Sequence, residues 1–99
     1  MRFRLTRLAD ADLVEIAEYT ARQWGEAQAR KYAAAFIEAF QRLSDDPMTP
    51  ASRARDDLQP GCRILTIEEH FIVYRRRNGT TEILRVLHRR MNLPLHRLS

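Results

Sequence analysis

Asn78-Gly79 stands between two runs rich in apolar and β-branched residues, 70–76 and 82–88. A two-residue hairpin loop needs positive φ at both central positions, which Asn and Gly tolerate better than other residues, so these runs are predicted to pair as an antiparallel hairpin. A third run, 62–67, precedes them across Glu68-Glu69 and extends the hairpin to a meander. Apolar side chains fall on both parities of these strands, with Leu65 and Ile67 against Ile64, and Phe71 and Val73 against Ile72 and Tyr74. An antiparallel sheet that leaves one face in water alternates more cleanly, so this sheet is expected to be covered on both faces.

The first half of the chain supplies one cover. Phe3 and Leu5 alternate with charged residues in 2–6, which reads as a short marginal strand. Leu13, Ile16, Ala17, Thr20 and Trp24 then recur at helical spacing, with Asp10, Asp12, Glu15 and Glu18 toward the N-terminal end, where the helix dipole favours acids. Either Thr6 or Asp10 is a suitable cap, and Trp24 is expected to anchor the helix end in the core. Gly25 stops this helix, and a second runs over 26–43 with Ala29, Ala33, Phe36, Phe40 and Leu43 on one stripe. So short a connection folds the two back as an antiparallel hairpin. Pro47 ends the second helix, and 47–60, with three prolines, is expected to be a polar loop. The expected fold is α+β, a single domain over 1–99. An N-terminal strand and an antiparallel helical hairpin pack on a three- to four-stranded, mainly antiparallel sheet. The tail, with Met91, Leu93, Leu95 and Leu98, is too short to cover all of the second face, which leaves room for a partner.

No apolar run reaches the roughly 18 residues of a membrane helix, and MRFRLTRL lacks the apolar core of a secretory signal, so a cytoplasmic protein is expected. Cys62 is the sole cysteine and reads as a small buried hydrophobe. His70, His88, His96 and Cys62 show no metal-ligand spacing, and the three glycines stand alone, so neither a metal nor another cofactor is expected.

Charge divides the chain. Residues 1–46 carry seven Lys or Arg against eight Asp or Glu, whereas 47–99 carry ten against five. The basic half favours an acidic partner, either nucleic acid or an acidic protein segment. Arg63, Arg75 and Arg85 fall within predicted strands and His88, Arg89 and Arg90 where the last strand ends. Together they define a candidate cationic surface, unless they are solvated or paired with Glu82 and the acidic first helix.

The segments ADLVEIAEYTARQWGEAQARKY (11–32), HFIVYR (70–75) and ILRVLHRRMN (83–92) resemble the RelE/ParE superfamily of bacterial toxins, and the ParE branch in particular. The resemblance implies a toxin of a type II toxin-antitoxin pair that causes growth arrest, serves plasmid stabilisation and is neutralised by a ParD-like antitoxin with an acidic C-terminal segment. ParE-like toxins poison DNA gyrase by direct binding, whereas RelE-like relatives cut messenger RNA on the ribosome. RNA-cleaving relatives carry a lysine and several arginines on the sheet and often a tyrosine near the C-terminus; here Lys31 is the only lysine and Tyr74 the last tyrosine. The expectation is therefore a non-catalytic gyrase inhibitor. The alternative is a ribosome-dependent endonuclease using His88 with Arg63, Arg75 and Arg85. Candidate partner-binding residues are Arg63, Phe71, Arg75, Arg85, His88, Arg89, Arg90 and Met91. Direct contact with nucleic acid is left open.

Overall fold

A computed structural model describes residues 3–90 and Leu98. The elements are β1 (Phe3–Leu5), α1 (Arg7–Trp24), α2 (Glu26–Asp45), β2 (Ser52–Ala54), β3 (Arg63–Ile67), β4 (His70–Arg77) and β5 (Thr80–His88). They form one five-stranded sheet in the order β1-β5-β4-β3-β2, in which only the β1–β5 pair is parallel. The sequence expectation of three or four strands is one short, because β2 forms inside the stretch read as a polar loop. Ser52 is buried there and its hydroxyl donates to the Thr49 carbonyl at 2.8 Å, folding the loop against the β3 edge.

Local chemistry sets the element ends. The Thr6 side chain accepts the Ala9 N–H at 3.1 Å, which makes Thr6 rather than Asp10 the cap of α1. Gly25 joins the helices at φ 93°, a backbone conformation that costs glycine little; its N–H closes α1 on the Ala21 carbonyl and its own carbonyl accepts the Ala29 N–H of α2. Asn78 and Gly79 both adopt positive φ, as their hairpin requires.

The helical hairpin covers one sheet face. Phe36, Ala39, Phe40 and Leu43 of α2 meet Leu65, Ile72, Tyr74, Ile83 and Val86, all buried. The Phe3 ring packs on Phe40 with centroids 5.5 Å apart. Ala33, expected on this stripe, is exposed, and the packing stripe continues instead through Ala39. Cys62, Ile64, Val73, Leu84 and Leu87 cluster on the opposite face beneath Leu58 and Leu98. The second cover thus comes from the chain itself: the four sheet residues of this cluster and Cys62 are at most 3% exposed. The room for a partner expected on that face is not open. Burial also pushes the Cys62 thiol above its ordinary pKa, consistent with an inert core cysteine.

Ile83 and Val86 share one face while Leu84 and Leu87 share the other, spacings of three that strict alternation forbids. A bulge resolves this. The β4–β5 register steps from Tyr74↔Ile83 to Val73↔Arg85, leaving one residue of β5 without an opposite number. It lies where β1 ends, so the remaining edge of β5 meets α1 instead of another strand.

Candidate functional site

That edge borders a groove of about 990 Å³ between α1, the first half of α2, and the ends of β4 and β5. Ile16, Tyr19 and Trp24 line one wall, Tyr32 the next, and His70 and His88 the sheet end. Asp12 sits at its inner corner. Its carboxylate accepts Arg85 Nε at 2.8 Å and a second guanidinium nitrogen at 2.9 Å, and takes the Val86 N–H at 2.9 Å. The helix therefore caps the strand edge with one side chain. Both partners are largely buried, and the carboxylate holds the Arg85 guanidinium above its ordinary pKa.

His70 and His88 oppose each other across β4 and β5, with ring centroids 5.4 Å apart at 74°. His70 also packs edge-on against Phe36 and Tyr32. Its Nδ1 is buried with no hydrogen-bond partner, whereas His88 Nδ1 accepts the Arg90 N–H at 3.1 Å. Burial first, and the neighbouring His88 second, lower the His70 pKa from its usual 6.5. Above pH 6.5 the ring is neutral in both folded and unfolded chains. Below it the unfolded chain takes up a proton that the folded one resists, so stability is expected to fall as pH drops from 6.5 toward the folded-state value. Urea midpoints measured on either side of that pH should show the loss, and His70→Phe should flatten it. An undiminished slope in His70→Phe would assign the titration to another group.

The candidate arginines do not share one surface. Arg85 is taken by Asp12. Arg75 donates from Nε to Glu82 at 2.9 Å and reaches Gln59, and Arg4 also pairs with Glu82, a carboxylate only 4% exposed. Arg63 lies on the helix-side face, bonded to the Ser52 hydroxyl at 2.9 and 3.0 Å. Arg89 pairs with Glu69 at 3.1 Å. The ion pairing with Glu82 and with the acidic first helix, weighed from sequence, is thus the arrangement found for Arg75 and Arg85. Phe71 is half-buried on the outer face. His88, Arg89 and Arg90 stand together at the strand end, and Met91 lies outside the described residues.

Trp24 corrects another expectation: it is 74% exposed rather than a core anchor. In the last turn of α1 it stands at the rim of the groove, open to solvent. Tyr19, 57% exposed, stands on the same wall. Sequence reasoning missed both as site residues, because helical spacing assigned Trp24 to the core and left Tyr19 off the apolar stripe. Among the described residues no group of three or more potential metal ligands converges, and no helix is long and apolar enough to cross a membrane.

A two-helix layer on a mixed five-stranded sheet, with an aromatic-walled groove at one end, defines this chain as a small α+β protein built to present a groove. It is similar to a chain of the solved "Chromosomal ParDE TA system from P. aeruginosa", with a TM-score of 0.77 and 28% identity, over 89% of this chain and 95% of that one. Residues 3–93 match the family described as ParE toxin of type II toxin-antitoxin system, parDE. The chain belongs to the ParE toxin family. It is 37% identical to Toxin ParE1 of Mycobacterium tuberculosis over 93% of each chain, and 36% identical to Toxin ParE of Escherichia coli over 90% of this chain and 85% of that one. With Toxin ParE1 of Caulobacter vibrioides it shares 33% identity over 95% of each.

Proposed function

We propose that this toxin acts by binding DNA gyrase rather than by cleaving RNA, and that a ParD-like antitoxin holds it inactive by occupying the groove. The observation that carries the non-catalytic reading is the dispersal of the alternative catalytic set. Phosphoryl-transfer catalysis needs cations converging on one reacting centre. Here Arg85 is neutralised by Asp12, Arg75 by Glu82, and Arg63 is engaged with Ser52. From the strand registers Arg63 lies about 17 Å from His88, at about 3.4 Å per residue and 4.8 Å between strands. His88 is left with the Arg90 amide on one ring nitrogen and a half-buried His70 beside it.

The groove supports the antitoxin half. Exposed Trp24 and Tyr19 offer the rigid aromatic area that partner helices anchor on, and His88, Arg89 and Arg90 at its end suit an acidic segment that orders on binding. Both act in the cytoplasm in this reading.

Purified toxin is expected to block gyrase supercoiling and to yield linearised plasmid, while leaving messenger RNA intact in a translation extract. Undisturbed supercoiling at toxin excess would sink the gyrase reading. Codon-specific RNA cuts abolished by His88→Ala would install the endonuclease in its place.

A further inference from the structure

Arginines on the sheet face away from the helices gather at the end opposite the groove, and two of them, Arg53 and Arg77, take no part in an ion pair among the described residues. Cross-strand partners project to the same side of a sheet. Arg53 opposes Ile64, which opposes Val73, so all three project from the outer face. Arg75 follows two residues on along β4 and Arg77 two further, while Arg4 joins the same face through its register with Glu82, the partner of Arg75. Four guanidinium groups, from β1, β2 and β4, therefore stand on one face, with neighbours about 7 to 12 Å apart and Arg53 about 17 Å from Arg77.

One carboxylate, Glu82, lies among them, buried beneath Arg4 and Arg75. The loop over this face adds Asp57, which pairs with Arg55 at 2.9 Å, and Asp56, which accepts the Gly61 N–H at 2.8 Å. Arg53 and Arg77 are exposed, with no ion pair among the described residues, and Arg4 keeps 63% of its side chain in water. The apolar residues of the same face, Ile64, Val73, Leu84 and Leu87, are buried and give a protein partner nothing to anchor on. A face whose exposed groups are charged and whose apolar residues are buried fits a polyanion.

We propose that this surface, centred on Arg53 and Arg77, binds the phosphate backbone of duplex DNA. The proposal extends the gyrase reading, in which the toxin acts where DNA is held, but its test needs no gyrase. Anisotropy of a short labelled duplex should show sequence-independent binding by the full chain. With two or three phosphates neutralised, affinity should fall about 10- to 40-fold between about 50 and 200 mM salt.

Arg53→Glu/Arg77→Glu should abolish binding without moving the melting temperature. Arg53→Lys/Arg77→Lys should retain both the binding and the salt slope, because a phosphate needs only the charge. Arg42→Glu, on α2, should bind as wild type. No salt-dependent binding, or equal binding by the double Glu variant, would overturn the proposal. Competition by a polyglutamate peptide as effective as unlabelled DNA would also overturn it, assigning the face to acidic protein. DNA binding with normal gyrase supercoiling would leave this proposal standing and sink only the gyrase reading; poisoned gyrase without DNA binding would do the reverse.

Discussion

Asp12→Ala is expected to destabilise the fold by about 3–5 kcal/mol, the cost of removing one partner from a buried ion pair. The Asp12 and Arg85 side chains are 11% and 14% exposed, so water does little to rescue the guanidinium left behind. The substitution also strips the Val86 N–H of its acceptor, on a strand edge that β1 is too short to cover. Against a total of roughly 5–15 kcal/mol for a domain of this size, this is a large fraction. Urea denaturation should show it as a lower midpoint with an unchanged slope. Asp12→Asn, which can still accept from Val86, should lose less. In Asp12→Ala/Arg85→Leu the stranded charge is gone and part of the loss should return. A midpoint change worth under about 1 kcal/mol in Asp12→Ala would show that the pair is not the clamp described here.

Trp24→Ala should do the opposite, sparing the fold and weakening the partner. An exposed tryptophan at a helix end stabilises little, so the melting curve should move by no more than about 0.5 kcal/mol. If the antitoxin fills the groove, Trp24 sits at its rim as an aromatic anchor. Truncating such a residue costs about 2–4 kcal/mol, a loss of about 30- to 1,000-fold in affinity. Calorimetric titration with the co-expressed antitoxin would measure it. Unchanged affinity would move the interface away from the groove, and a large loss of stability would restore Trp24 to the core.

Sequence and structure agree most closely where local chemistry acts within a few residues. Asn78-Gly79, Gly25 and Pro47 marked turns and ends because each has a backbone constraint that holds in any fold. β2 escaped notice because three residues at a sheet edge carry no period of their own, and Ser52 becomes a strand residue only when β3 lies beside it. The candidate cationic surface failed for a related reason. Arg85 and Asp12 are 73 residues apart, so the sequence offered pairing with the acidic first helix only as one alternative and could not single out the carboxylate.

By itself the sequence determined the element types, the helical hairpin, the meander, the need for two covers on the sheet and the resemblance to a toxin family. These follow from periodicity, turn residues and motif order, all of which are read along the chain. Tertiary structure decided which charges cancel, which aromatics stay in water and where the groove opens. Those outcomes depend on the β5 bulge and on the short β1, which together bring α1 to the strand edge, a contact between segments far apart in sequence.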